Sequence, residues 1–595
     1  MLMCMGVFSF GLVACGDDDP AEEPRKDSQQ EQTDTVKSDP EPEPEPVEAT
    51  VGWPARYGGV MLQAFYWDGY TDAQWSRLES QVDNIATTFD LVWIPQSANC
   101  GGQSMGYDDL YWFTNYNSSF GTEDELRSMI RTFEAHHIGT IADVVINHRK
   151  NVSSWVDFPV ETYKGVVYEM KSTDICANDD GGKTKTWATQ NGFELSKNND
   201  TGEGWDGMRD LDHKSENVQT IVKAYLDFLK NDLGYVGFRY DMVKGYSGQF
   251  TKLYNNAACP QFSVGEYWDG NATAVKNWIN ATDKTSAAFD FPFRYTVRNA
   301  LRGSSNDGNT SNWKQAADYT LLGAGSVVSD ASYRQYAVTF VENHDTEYRS
   351  SSAQQDPIRR DTLAANAYLL AMPGTPCVFM KHWQAYKQEI ANMVAVRKAV
   401  GITNTSSATT LTSQKDVFAI QVDGSDTKKL LCVVGTKAAG YDPGAAWKKV
   451  ISGYHYSYYV SGIEPSAITL PRLKEEQQPQ PDGEYAGVPS FCTVALGEIC
   501  AFFEAPASWG SQIFTWAWMT GGDGKDYVGM SWPGPEATLL GKADNGNRVF
   551  KWTSTKTTAP DMIIFSGGGQ QTSDMSFENG GYYNKDGLKD KVSSK

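Results

Sequence analysis

The chain has 595 residues, room for roughly three or four domains and at least one large core. Apolar residues make up 40% and charged residues 21%, and Trp 18, Tyr 30 and Phe 26 give a 12% aromatic content that suits dense cores or flat stacking surfaces. A net charge of −22 excludes a nucleic-acid phosphate footprint, and no apolar run of about 18 residues exists to cross a membrane as a helix.

Residues 1–15 read MLMCMGVFSFGLVAC, an apolar stretch ending in Leu12-Val13-Ala14-Cys15 and followed by Gly16-Asp17-Asp18-Asp19. This resembles a bacterial lipoprotein signal, with the acidic cluster of Bacteroidetes surface lipoproteins. The resemblance implies cleavage before Cys15, a lipid on Cys15 as the sole membrane contact, and display at the outer membrane or cell surface. Residues 15–51 then form a linker. Between 16 and 50, thirteen Asp and Glu stand against Arg25, Lys26 and Lys37, a local net of −10, with EPEPEP at 41–46. Such a segment has too little apolar surface to fold, and like charges with Pro keep it extended. The seven cysteines beyond Cys15 are odd in number and form no CxxC pattern, so spacing alone pairs none of them.

From 52 to 402 short apolar runs alternate with helical patterns. The runs are 60–67, 91–96, 140–148, 236–243, 262–268, 287–293, 336–345 and 376–380. Each is of strand length and apolar on both faces, as in a buried parallel sheet. Val218, Ile221, Val222, Tyr225, Leu226 and Leu229 share one helical stripe behind Ser215, a plausible N-cap. Eight such runs with helices between them predict a closed (β/α)8 barrel of the α/β class; an open doubly wound sheet is the alternative. Residues 149–214 are too long for an ordinary connection and predict an inserted domain on the active-site face. Runs at 416–424, 429–435, 454–460 and 493–504 alternate in strand fashion and predict an antiparallel β domain over 403–505. A Trp-rich unit, 506–595, follows.

Strand C-terminal ends form the active face of such a barrel, and a buried strand has no packing use for charge. Four ends are polar. They carry Asn147 and His148; Arg239, Asp241 and Lys244; Glu266 and Trp268; His344 and Asp345. Asp143 lies inside an apolar run, where a structural role is as well supported as a catalytic one, and is left aside. Three carboxylates converging on one face suit glycoside hydrolysis, which needs one ionised nucleophile and one protonated acid. Arg239, two residues before Asp241 on one strand face, would keep Asp241 ionised. Glu266, beside Tyr267 and Trp268, has the less polar setting that raises an acid. An Arg–Asp pair by itself is more often a structural ion pair than a catalytic one; the four ends together carry the argument.

GFRYD, GEYW and NHD, with MGYDDLY upstream, resemble the signature regions of glycoside hydrolase family 13, the α-amylases, over about 60–402. The resemblance implies Asp241 as nucleophile, Glu266 as general acid/base and Asp345 as transition-state stabiliser. It implies His148 and His344 on sugar hydroxyls, Arg239 orienting the nucleophile, Tyr107 as stacking platform, and Lys244 and Trp268 on the aglycone side. Hydrolysis with retention would follow, the two working carboxyls about 5–5.5 Å apart. DTGE at 200–203 and RDLDH at 209–213 resemble calcium-binding segments of plant-type α-amylases, with Glu203 in place of Ala and Arg209 in place of Pro. They imply one Ca2+, held by Asn147, Asp200 and Asp210 side chains and by the Glu203 and Gly245 carbonyls.

WGSQIFTWAW, SWPGPE and MIIFSGGGQQTSDM resemble a starch-binding module of carbohydrate-binding module family 26. Trp516, Trp518 and Trp532 are its candidate platforms and Gln570 or Gln571 its polar contacts. Alternation puts Trp516 and Trp518 on one strand face, and that face could equally be core. The expectation is an exported, monomeric, calcium-dependent endo-acting α-amylase for starch, glycogen and maltooligosaccharides. A maltooligosaccharide-forming enzyme or glucanotransferase of the same family is the alternative, and a non-catalytic starch-capture lipoprotein a weaker one.

Overall fold

A computed structural model describes residues 52–594 apart from 305–312, 351–354, 475–486, 507–508, 523, 544 and 569. The signal and linker expected over 1–51 lie outside the described residues.

Eight strands close a barrel: β1 (Met61–Gln63), β2 (Leu91–Trp93), β3 (Gly139–Val144), β4 (Gly237–Tyr240), β5 (Phe262–Gly265), β6 (Ala287–Phe289), β7 (Ala337–Thr339) and β8 (Thr375–Phe379). They pair in parallel in chain order, and β8 closes on β1. Every predicted run contributes one strand, buried on both faces except at Gly139. Enclosure is the physical reason the runs read as continuous apolar stretches rather than alternating ones.

The helices carry local signals of their own. Glu123–Ala135 begins with Thr122 and Glu125 capping each other's backbone N–H and buries Leu126, Met129, Ile130 and Phe133 on one stripe. Ser215 caps Glu216–Asp227, whose buried stripe is the predicted one as far as Leu226. Leu229 falls in a π-helical continuation, Phe228–Leu233, ended by left-handed Gly234. The insert holds a hairpin (Val160–Tyr163 with Val166–Glu169) and a helix (Lys183–Gln190). It is joined to the loop after β3 where His148–Arg149 pairs with Arg209–Asp210.

An antiparallel sheet follows: β9 (Ala408–Gln414), β10 (Val417–Asp423), β11 (Lys429–Val434), β12 (Lys448–Gly453) and β13 (Tyr456–Ser461), in the order β9-β10-β11-β13-β12. The two edge strands were not among the predicted runs. The expected boundary at 505 needs correction. Strand β14 (Cys500–Ala505), expected in the middle domain, pairs with β17 (Arg548–Thr553) and β21 (Gly581–Asn584) of the C-terminal unit. That unit has two sheets. One is five-stranded and adds β16 (Thr538–Lys542) and β22 (Gly587–Lys591). The other contains β15 (Phe514–Trp518), β18 (Met562–Gly567), β19 (Gln570–Gln571) and β20 (Met575–Ser576). They share one apolar cluster, in which Phe503 of β14 stacks on Phe565 of β18 at 4.5 Å. Among the described residues all seven cysteines are free, and no helix is long and apolar enough to cross a membrane.

Candidate active site

Arg239 organises the centre. It points inward from β4 with its side chain fully buried, and its Nη1 donates to Asp143 Oδ1 and Asp241 Oδ1, each at 2.7 Å. Strand register brings these partners together, because Asp143 on β3 lies directly beside Arg239 on β4. Nη2 sits 2.8 Å from Glu266 Oε1, a close ion contact without hydrogen-bond alignment. Glu266, on the residue after β5, takes the Met242 N–H on Oε2 at 3.2 Å. The Arg239 guanidinium also lies 4.9 Å from the Trp93 ring centroid.

Three carboxylates around one arginine leave a net negative pocket. Burial first, then the Asp241 and Asp345 charges, pushes Glu266 well above the usual carboxylate range, although Arg239 opposes this. Both the direction and its leading cause, a less polar setting, match expectation; desolvation wins although Arg239 lies 2.8 Å away. Asp143, set aside in the sequence, is pushed up to about 6 by burial. It accepts from the Tyr107 hydroxyl at 3.0 Å and from Trp93 Nε1 at 3.1 Å, so its work is scaffolding.

His344 follows β7. Gln63 contacts its Nδ1 at 2.9 Å, and its Nε2 lies 2.7 Å from the Tyr107 hydroxyl and 3.2 Å from Asp345 Oδ2. Burial, then the Arg239 charge, lowers His344 well below the ordinary imidazole value, and burial lowers His148 too. Both rings are thus neutral hydrogen-bonding groups rather than cations. Asp345 is itself raised by burial and lowered by Arg239 and Arg349.

A cleft of about 580 Å³ opens over these groups, lined by Tyr107, His148, Asp241, Lys244, Gly245, Glu266, Trp268 and Asp345 among others. With Glu203 also in its lining, one cavity thus gathers nine side chains or backbone sites named from the sequence. Arg239 and His344 lie behind its wall, hydrogen-bonded to residues that line it. Lys244 bridges Glu203 at 2.9 Å and Asp269 at 3.4 Å, and Trp268 Nε1 donates to Tyr295 Oη at 2.9 Å. Among the lining residues that the sequence reading missed, three carry side chains that shape the site. Trp67, after β1, lies parallel to Tyr107 at 6.2 Å; Trp205, from the insert, packs 4.2 Å from His148; Arg349 follows Asp345. Trp67 shared the strand-end position that marked the others and could have been found by it.

The residues expected to hold a cation lie where the insert meets the barrel. Asp200 Oδ2 and Asp210 Oδ1 are buried and have no hydrogen-bond partner among the described residues. Burial and neighbouring carboxylates push Asp200 up to about 6 and Asp210 up to about 8. A Cβ on Gly245 would come within 1.9 Å of Asn147 Oδ1, so the amide oxygen lies against that backbone. Glu203 turns its side chain to Lys244. Oxygen-only donors with orphaned carboxylates fit a hard cation. No group of three or more His, Cys, Asp or Glu suited to a metal occurs among the described residues, so amide and carbonyl oxygens would have to complete this shell.

In the C-terminal unit, β15 buries Thr515 and Ala517 and turns Phe514, Trp516 and Trp518 outward. This resolves the open question of which face is core. Trp516, Trp518, Trp532, Gln571 and Asp574 line a shallow concavity of about 600 Å³. Trp532 is 48% exposed, and its ring lies 5.7 Å from that of Trp516. Gln570 is exposed but does not line it.

The model of the family "Alpha amylase, catalytic domain" matches residues 88–457. The chain is 26% identical over 426 residues to a probable alpha-amylase 2 of Arabidopsis thaliana, covering 67% of this chain and 93% of that one. It is 27% identical over 379 residues to a glucan 1,4-alpha-maltotetraohydrolase of Roseateles saccharophilus, covering 58% of this chain and 63% of that one. A solved alpha-amylase structure from Geobacillus thermoleovorans aligns at 14% identity with a TM-score of 0.48, covering 68% of this chain and 98% of that one. With a closed eight-stranded parallel barrel and carboxylates at its strand ends, the chain belongs to the alpha-amylase catalytic-domain family and is a glycoside hydrolase.

Proposed function

We propose that the protein is an endo-acting α-amylase that cuts internal α-1,4-glucosidic bonds of starch or glycogen with retention. One observation carries the reading: Asp241 and Glu266 are held on the two terminal nitrogens of one buried guanidinium and line the same cleft. Asp241 accepts an aligned, charge-assisted hydrogen bond, which suits a nucleophile that stays ionised until it attacks the anomeric carbon. Glu266 holds its proton through burial, which suits the acid that protonates the departing oxygen and then, as base, activates the water that resolves the glycosyl ester. Asp345 would face the positive charge that develops at the ring, and neutral His148 would bond its hydroxyls, while His344, expected to do the same, lies behind the wall and holds the Tyr107 hydroxyl. Trp67 and Tyr107 offer faces for a sugar, and Lys244 and Trp268 would take the leaving chain.

Asn147, Asp200 and Asp210, with the Glu203 and Gly245 carbonyls, would hold Ca2+. When bound, the ion neutralises the carboxylates that tie the insert to the barrel beside His148. Calcium at about 100 times its dissociation constant is expected to raise stability by about 2.7 kcal/mol. Differential scanning calorimetry with calcium and with chelator reads this directly. Identical melting in both would remove the site.

The C-terminal unit is proposed as a β-sandwich starch-binding module that raises the local concentration of polymer at the barrel. The lipid-bearing Cys15 is proposed as the anchor that displays the enzyme at the cell surface. A second reading has one specific support, the similarity to a maltotetraose-releasing enzyme. A product time course separates the two, run on soluble amylose and on granular starch with wild type and Trp532→Ala. Endo action predicts an early fall in viscosity with mixed oligomers, and Trp532→Ala should slow attack on granules several-fold while sparing soluble substrate. A single oligomer from the first minutes would favour the second reading. Equal granule rates would remove the module's role.

A further inference from the structure

The loop after β7 carries a second arginine that the mechanism above leaves idle. Arg349 donates from Nη2 to Asp345 Oδ1 at 3.0 Å and to the His344 carbonyl at 2.7 Å. Its guanidinium sits 3.9 Å from the Trp67 ring centroid. Trp67 is fixed in turn: its ring is parallel to Tyr107 within 3°, and its backbone N–H goes to Glu347 Oε1 at 2.7 Å. Glu347 pairs with Lys381. Trp67, Asp345 and Arg349 all line the cleft.

We propose that Arg349 is a positioning residue that locks the Asp345 carboxylate to the Trp67 wall, so that the charge stabilising the transition state and the aromatic face that seats the sugar move as one unit. The proposal rests on the reading of Asp345 given above. A carboxylate that stabilises a transition state through its charge must be both ionised and fixed in place. The groups facing Asp345 are few. His344 touches it from its own loop but is neutral. Tyr107 comes from the loop after β2 and Glu266 from the end of β5, and neither supplies positive charge. Arg239 on β4 attracts it but spends its aligned hydrogen bonds on Asp143 and Asp241. Among the described residues, Arg349 is therefore the cation hydrogen-bonded to Asp345. One face of its guanidinium is stacked on Trp67, which removes freedom the long side chain would otherwise have.

The sign of the pH effect follows. A cation beside Asp345 favours its ionised form, so removing that cation raises the pH at which Asp345 takes up a proton. The test measures kcat and KM on a linear α-1,4 maltooligosaccharide across pH for Arg349→Met, Arg349→Gln and Arg349→Lys, with melting curves as the fold control. In Arg349→Met and Arg349→Gln, kcat is expected to fall about 10- to 100-fold. The acidic limb of kcat should move up by about one pH unit. Arg349→Lys should restore the limb but only part of kcat, because an ammonium keeps the charge and loses the stacked fork. A merely structural role would lower the folded fraction and leave the limb where it is. Wild-type kcat and an unmoved limb in folded Arg349→Met or Arg349→Gln would overturn the proposal. Asp345→Asn separates this from failure of the underlying reading: full activity there sinks the role of Asp345 itself, whereas an inactive Asp345→Asn beside a fully active Arg349→Met sinks only the inference.

Discussion

Replacing Asp241 by Asn is expected to lower turnover of amylose by on the order of 10⁴-fold, with little change in melting temperature. The amide keeps the size and can still meet its neighbours, but it cannot form the glycosyl ester. Glu266→Gln should cost about 10²- to 10⁴-fold on the same substrate, because it removes a proton donor and not the attacking group. The two variants must differ on a substrate whose leaving group needs no proton, such as a maltosyl fluoride. There Glu266→Gln should still undergo the first step and stall before the second, while Asp241→Asn stays inactive. Wild-type reducing-sugar release from either variant would remove the mechanism. The pH profile follows from the same geometry. Glu266 is raised by burial, so the protonated acid persists to higher pH than an exposed glutamate would allow, and the alkaline fall in activity should come late.

The second large effect concerns Arg239. Arg239→Met keeps an apolar stem of similar length and deletes the charge that Asp143, Asp241 and Glu266 share. Removing one partner from a buried ion pair costs about 3–5 kcal/mol, because the remaining charge stays desolvated and unpaired. This loss depends on pH with a definite sign. A carboxylate whose folded value lies above its unfolded one costs no stability while both states are protonated, and the cost grows as pH rises through the folded value. Asp143 is already pushed up to about 6 with the arginine present, and loss of the cation would raise it further. The stability gap between Arg239→Met and wild type should therefore be small near pH 4 and widen as pH rises above about 6, where Asp143 ionises in wild type but still holds its proton in the variant. Urea titrations at several pH values measure it. A gap that is constant with pH would mean that lost packing, not lost charge, is responsible.

Much of this was legible in the chain before any coordinates. The barrel strands were, because burial on both faces leaves few polar residues to interrupt them before the C-terminal ends, where Asp241, Glu266 and Asp345 stand out. The edge strands β9 and β12 were not. Both are largely exposed and rich in Thr, Ser and Lys, so they carry no apolar signal. Strand β14 was read correctly as a strand and given to the wrong domain, since its partners Arg548–Thr553 and Gly581–Asn584 are far away in sequence. The same blindness hid part of the site. Asp143 and Arg239 are cross-strand neighbours only once the register of β3 and β4 is known. Trp205 meets His148, and Arg349 meets Trp67, across loops whose sequence contains no sign of the encounter. In the C-terminal unit, alternation paired Trp516 with Trp518, but only the buried Ala517 between them shows that both rings face outward.

The most direct trial is mass spectrometry of Glu266→Gln incubated with a maltosyl fluoride, followed by proteolysis and sequencing of the labelled peptide. A hexose-chain adduct should accumulate on Asp241 and be absent from Asp241→Asn. An adduct on any other side chain, or rapid turnover of the fluoride with no adduct at any time, would contradict the assignment.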